Sequence, residues 1–445
     1  MDALGYTIRS LATAAVVTAA CHCADAPTSL PAVSDAADID DAGDAGPPMA
    51  GACGPIGPWG EWPPDDAPKR TPTVLPPAFE RPDCGPGCRL VTTRWGLTGN
   101  GPWETRLSGR LLTGAPRGFA RGAIVVNLDT LEEYDSGMPE PEPGVLSLSA
   151  ALSDECLVQE FQFYGPGNAK RYYLCETCLH RQATRGLRFA EGHTEINVVS
   201  GVAVADERFV ILTGGLTDDG TKGLGLWALD LRDGSKRTFA QSLWLVSNLS
   251  YHAPYIVLSE GDGEVHLIDT RDWSDTNVTD DPSLQYMAAS DGKTIVWIDQ
   301  RYHPGGTLEK PENQEVVAYD IGTKELRRLT FTDPAKPSAK WDPSVEGDWV
   351  VWTDDRDSNA PNTTQDVPKN RRDIYGFNLK TGKEYHVLGN QAGTLTHDQH
   401  SPKFGMAPEQ PRLHMGKLYV LGALMEPDQP QLPRGEIWEI ALPEP

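Results

Sequence analysis

The chain holds 445 residues, 39% of them hydrophobic, enough for one large domain or two to three ordinary ones. Its 39 Lys and Arg are outnumbered by 63 Asp and Glu, for a formal net charge of −24. That balance argues against nonspecific binding of nucleic acid or anionic lipid, which needs a phosphate-neutralising excess of cations, and it favours solubility.

The first element in chain order is an export signal. Arg9 precedes an apolar stretch, Leu11 to Ala20, too short to cross a bilayer as a mature helix. It ends in TAAC, small residues directly before Cys21. This resembles the lipobox of bacterial lipoproteins, with Thr18 where Leu or Val is usual. The resemblance implies that residues 1–20 are removed and that Cys21 carries the lipid anchor. A plain signal peptide ending near Ala20 is the alternative.

Residues 21–68 are expected to form a disordered acidic tether. The run ADAPTSLPAVSDAADIDDAGDAGPPMAGA (24–52) has no aromatic residue and cannot bury enough apolar area to offset chain entropy. A long acidic tether behind a lipobox resembles surface lipoproteins of Gram-negative bacteria, and His22 does not signal inner-membrane retention in that resemblance. The implied location is the outer membrane or cell surface, with a periplasm-facing or secreted protein as alternatives. Membrane contact would then run only through the lipid.

Eight Cys are present. With Cys21 lipidated, those left are Cys23, Cys53, Cys84, Cys88, Cys156, Cys175 and Cys178. Disulfides are the default for an exported chain. CGPGC and CETC look like zinc half-sites, but neither has a partner motif of the usual spacing or a nearby His pair.

Beyond residue 84, short β-type runs alternate with Gly, Pro and Asp turns, and no helical periodicity persists. One strand type recurs: IVVNLDTLEE (124–133), YYLCETCLH (172–180), LWALDLRDG (226–234), VHLIDTRDW (265–273), VVAYDIGTKE (316–325), IYGFNLKTGKE (374–384) and IWEIAL (437–442). Aligned on it, Asn127, Cys175, Asp230, Asp269, Asp320, Asn378 and Glu439 are taken as equivalent. A more apolar strand precedes most copies, as in TIVWIDQ (294–300) and WVVWTDD (349–355). Four strands in about 50 residues, repeated about seven times, predict a β-propeller.

The expected fold is therefore all-β, a single propeller over residues 69–445 with seven four-stranded blades, although six or eight fit the same length. After EIWEIALPEP the last repeat lacks an outer strand, which KRTPTVLPPAF (69–79) is expected to supply from ahead of the first blade. SVEGDWVVWTDDRD…DIYGFNLKTGKEYHVL resembles the blade of TolB-like propellers, especially those of bacterial surface proteins with a W-x-D-x-R turn. The resemblance is good over about 285–390 and fair over 195–285. It implies the fold and an envelope location but no single activity.

Three second-to-third-strand connections read as long: Asp299 to Asn313, Asp354 to Arg372 and Met425 to Gly435. Long connections are uncommon without a role, so their face is the expected binding face. Asp299 with Arg301 and Asp354 with Arg356 stand at its edge. Their recurrence points to architecture rather than chemistry, because a catalytic residue is needed once.

LTHDQHSPKF (395–404) places His397, Gln399 and His400 ahead of the innermost strand of the last blade, with His193 and His252 at comparable entries. Several imidazoles converging on a funnel can hold a divalent cation or act as a base, although hydrogen-bonded packing between blades is the more ordinary explanation. The stretch is faintly similar to oligogalacturonate lyases, propellers with a metal held by His and Gln, which implies His397 and His400 as candidate metal ligands. GxSxG and HExxH motifs are absent.

The functional expectation is a non-catalytic, monomeric envelope lipoprotein that binds a protein or glycan and needs no cofactor. The alternative is a metal-assisted carbohydrate-active enzyme.

Overall fold

The computed structural model describes residues 56–57, 73–75, 87–96, 106–114, 124–135, 145–153, 156–164, 170–178, 183–192, 201–205, 209–214, 224–230, 235–242, 248–259, 263–302, 314–333, 337–356, 373–388, 409–426 and 429–445. Runs of β-branched and aromatic residues between polar turns form strands throughout, and no helix occurs among the described residues.

Six antiparallel four-stranded meanders are continuous in sequence, against the seven blades expected. In chain order they begin with Arg106–Ser108, Val145–Ser153, Gly201–Ala205, Asn248–His252, Gln285–Ser290 and Lys340–Glu346. We number them sheets one to six. A seventh sheet is composite. Glu409–His414, Lys417–Glu426 and Gln429–Ala441 come from the end of the chain, and Cys88–Gly96 from near its start supplies the fourth strand.

This corrects the expectation that residues 69–79 complete the last blade. Thr73–Leu75 instead pairs with Glu133–Asp135 at the outer edge of sheet one. CRLVTTRWG (88–96) takes the outer place of the composite sheet instead. It has no Pro to interrupt the ladder, and Leu90 and Val91 are buried. A second edge addition, Ile56–Gly57, runs parallel to Gly186–Leu187 of sheet two, inside the span expected to be tether.

Apolar clusters join neighbouring sheets. Phe209 and Ile211 of sheet three meet Ile256 and Leu258 of sheet four. Val257 of sheet four meets Trp297 of sheet five. Val296 and Ile298 of sheet five meet Val350 and Trp352 of sheet six. Val351 and Leu388 of sheet six meet Leu90, Leu418 and Trp438 of the composite sheet, whose Val91 and Ile437 meet Leu112 and Val126 of sheet one. Trp297 and Trp352 are fully buried at the same place in consecutive blades, each filling the space toward the sheet before it. Blades need such bulk because each must bury both of its own faces against its neighbours.

The recurring third-strand residue has a physical cause. Asn127, Asp269, Asp320 and Asn378 each close the turn to the fourth strand, their Oδ1 accepting from the backbone N–H of Asp129, Arg271, Thr323 and Thr381 at 2.9, 3.0, 2.7 and 2.9 Å. In two copies the register differs from the alignment. Asn127 and its equivalents pair with the first residue of the second strand, a place that belongs to Cys178 rather than Cys175, and to Ala441 rather than Glu439.

Candidate functional site

Strand register divides the expected site residues between two faces. Asp299 ends the second strand of sheet five, opposite Gln285 at the start of the first strand and Glu315 at the start of the third. Asp354 lies likewise between Lys340 and Asp373. Both therefore stand on the face from which the second-to-third-strand insertions leave. His252 is elsewhere. It ends the first strand of sheet four and pairs with Tyr255 across a tight hairpin, so it lies on the opposite face. It is exposed and packs beside Gly292, where an added Cβ would sit 2.5 Å from its ring. The expectation that His252 stands at a blade entry is thus corrected: it stands at the far end of that strand.

Cys21, His193, His397, Gln399 and His400 lie outside the described residues, as do 303–313 and 357–372. Met425 to Gly435 is not a long connection: Lys417–Glu426 and Gln429–Ala441 run on as paired strands, with Glu426 opposite Gln429.

Asp299 and Asp354 each hold a clamp. The Trp297 indole N–H donates to Asp299 Oδ2 at 2.8 Å, and Arg301 donates from Nε to Oδ2 at 2.8 Å and from its backbone N–H to Oδ1 at 2.8 Å. One blade on, Trp352 Nε1 donates to Asp354 Oδ2 at 3.1 Å. Arg356 donates to that same oxygen from Nε at 2.9 Å and Nη2 at 2.6 Å, and from its backbone N–H to Oδ1 at 2.9 Å. Both carboxylates are fully buried. The W-x-D-x-R turn is therefore a buried hydrogen-bonded knot that anchors the root of each insertion.

The two knots differ in their surroundings. Lys340 Nζ lies 3.8 Å from Asp354 and donates to Thr332 Oγ1 at 2.7 Å and Ser338 Oγ at 3.0 Å. Arg356 also pairs with Glu384 at 2.5 Å and stacks over Tyr375 at 4.1 Å. Burial alone would raise the Asp354 pKa, but the charges of Lys340 and Arg356 prevail and hold it below the ordinary carboxylate value. At Asp299, burial prevails over the Trp297 and Arg301 hydrogen bonds and raises the pKa. The Lys340 pKa is lowered by burial, with Asp354 and Glu315 opposing.

Among the described residues no three His, Cys, Asp or Glu side chains gather as a metal site. What sequence reasoning missed lies on the innermost strands. Met287, Asp342 and Gln410 all have positive φ, at 57°, 50° and 48°. Each sits at a register shift, between Tyr286 and Ala289, Trp341 and Ser344, and Glu409 and Arg412. Three consecutive blades thus carry the same left-handed bulge. None of the three residues is Gly, so the sequence carried no turn signal for it.

No family model matches the sequence, and no curated protein matches it. Solved structures do. An oligogalacturonate lyase in complex with manganese is similar over 84% of this chain and 99% of its own, with a TM-score of 0.50 at 15% identity. An oligogalacturonate lyase from Vibrio parahaemolyticus matches over the same shares at 12% identity and a TM-score of 0.50. TolB from Acinetobacter baumannii matches over 75% of this chain and 78% of its own at 12% identity, with a TM-score of 0.34. At such identities the likeness to the two lyase structures shows the fold class alone, and the chain is a β-propeller.

Proposed function

We propose that this protein is a non-catalytic binding scaffold of the bacterial cell envelope, engaging a protein or glycan through the face that carries its long insertions. The carrying observation is the pair of buried Trp–Asp–Arg knots. They commit Asp299, Arg301, Asp354 and Arg356 to architecture and give 303–313 and 357–372 rigid roots on one face. Variable connections on a rigid frame are where propellers and sandwiches place recognition. We read the composite sheet as a seventh blade, in which Cys88–Gly96 closes the ring. Export and lipidation at Cys21 rest on the signal stretch, and the Cys content, read as disulfide-forming, fits an oxidising compartment.

Replacing 357–372 by a short Gly-Ser turn is expected to abolish saturable binding of the full chain to purified cell-envelope fractions while leaving the thermal midpoint in place. Unchanged binding would sink this reading. The alternative, a metal-assisted carbohydrate-active enzyme, predicts stoichiometric divalent metal in the purified chain, lost with His397→Ala and His400→Ala together with cleavage of a polyuronide.

A further inference from the structure

A cavity of about 530 Å³ lies between sheets three and four, a size ordinary for small-ligand sites. Its lining includes Phe209, Arg237, Tyr251, Pro254, Arg271 and Trp273. Pro254 belongs to the hairpin of His252, and Trp273 to the turn that follows Asp269, the partner of Tyr255. The cavity therefore opens on the face opposite the insertions. Thr270 ties two of its walls together, its backbone N–H and Oγ1 both donating to the Pro254 carbonyl at 2.8 Å.

The turn that carries Trp273 recurs in other blades, but its side chain does not. Leu131, Trp273, Lys324 and Gly382 stand four residues after Asn127, Asp269, Asp320 and Asn378, with φ of 58°, 63°, 61° and 70°. Each backbone N–H donates to the carbonyl of that earlier residue, at 2.7, 2.6, 2.8 and 2.8 Å. Glycine adopts this conformation without strain, so the turn itself needs no Trp. In sheet four it holds an indole, edge-to-face with Phe209 at 5.5 Å.

Trp273 in turn holds an arginine. The Arg237 guanidinium lies over its ring at 4.9 Å. Stacking occupies the face of a guanidinium and leaves its in-plane N–H groups able to donate. Arg237 is exposed, and among the described residues its guanidinium meets no carboxylate and makes no hydrogen bond. Arg271 differs, because its Nε donates to both oxygens of Asp269 at 2.9 and 3.1 Å and its charge is met. Asp272 adds a negative charge to the lining, with Oδ1 accepting from the Ser274 backbone N–H at 2.9 Å.

We propose that this cavity binds a carboxylate carrying an apolar group. The carboxylate lies on the Arg237 fork, and the apolar group packs against Phe209, Tyr251 and Pro254. Asp272 limits affinity by repelling the anion. This site is independent of the insertion-bearing face, so either reading can fail alone.

Calorimetric titration of the full chain at fixed ionic strength tests the site with 3-phenylpropanoate. Saturable binding is expected, at least about tenfold weaker for 3-phenylpropanamide, which lacks the charge, and for propanoate, which lacks the ring. N-acetylphenylalanine carries the same groups on a peptide unit; tighter binding than 3-phenylpropanoate assigns the site to peptide chain ends, and weaker binding to free acids. Arg237→Gln removes an exposed charge and is expected to weaken 3-phenylpropanoate at least about tenfold, leaving the amide unchanged. Asp272→Asn keeps the acceptor for Ser274 and removes the opposing charge, so it should tighten 3-phenylpropanoate several-fold. No saturable binding of 3-phenylpropanoate, equal affinity for its amide or for propanoate, an Arg237→Gln chain that binds like the parent, or weaker binding in Asp272→Asn each overturns the proposal.

Discussion

Asp299 and Asp354 occupy the same place in consecutive blades, yet their acidities are displaced in opposite directions. The cause is one residue across the ladder. Asp354 is paired with Lys340, whereas Asp299 is paired with Gln285, an uncharged amide with neither polar atom satisfied. A carboxyl held below its unfolded value of about 3.9 stabilises the fold above that value and loses its contribution as pH falls toward the folded pKa. One held above does the reverse, and the fold gains as pH falls through the raised value. Asp354→Asn strands Lys340 and part of Arg356, and is expected to cost about 3–5 kcal/mol at neutral pH. Urea unfolding at pH 7 and at about pH 3 should then show the deficit of Asp354→Asn shrinking on acidification, while that of Asp299→Asn widens. Parallel changes would mean that Lys340 does not distinguish the knots.

At the scale of elements, what was legible depended on whether a strand's reason for existing was local. TIVWID and WVVWTD announce themselves by β-branched and aromatic residues between turns, and both are strands as expected. Closing the seventh sheet is a long-range event. CRLVTTRWG and RTPTVLPPAF both read as extended, and only pairing with Glu439 and Trp438, some 350 residues away, selects the former. The bulges at Met287, Asp342 and Gln410 were illegible because tertiary contacts hold them, not Gly. The closing strand carries its own prediction. Leu90 is 1% exposed and packs with Val351, Leu418 and Trp438, so Leu90→Ala should cost about 2–5 kcal/mol. A chain beginning at residue 87 should keep one cooperative unfolding transition, and one beginning at residue 98 should lose it. Cooperative unfolding of the shorter chain would show that the ring does not need this strand.

For the whole molecule, the sequence carried the repeat and the charge, but the candidate site was legible only as residue types. His252 was assigned to a funnel because imidazole suits metals, and its hairpin places it on the other face. Charge, by contrast, acts without detailed geometry. The chain's net −24 includes the acidic stretch ahead of residue 69, but the excess of acid continues through the strands and repels itself, whereas exposed pairs such as Arg110–Asp129 at 2.6 Å contribute only about 0–1 kcal/mol each. Salt screens both. Raising ionic strength from about 0.01 M to 0.1 M shortens the Debye length from about 30 Å to 10 Å, which removes long-range repulsion before it weakens contact pairs. The thermal midpoint should therefore rise with sodium chloride over that range, by about 1 °C for each kcal/mol of repulsion relieved in a domain of this length. A falling midpoint would mean that the ion pairs outweigh the excess charge, and that the acidic residues are placed for attraction within the ring rather than for solubility.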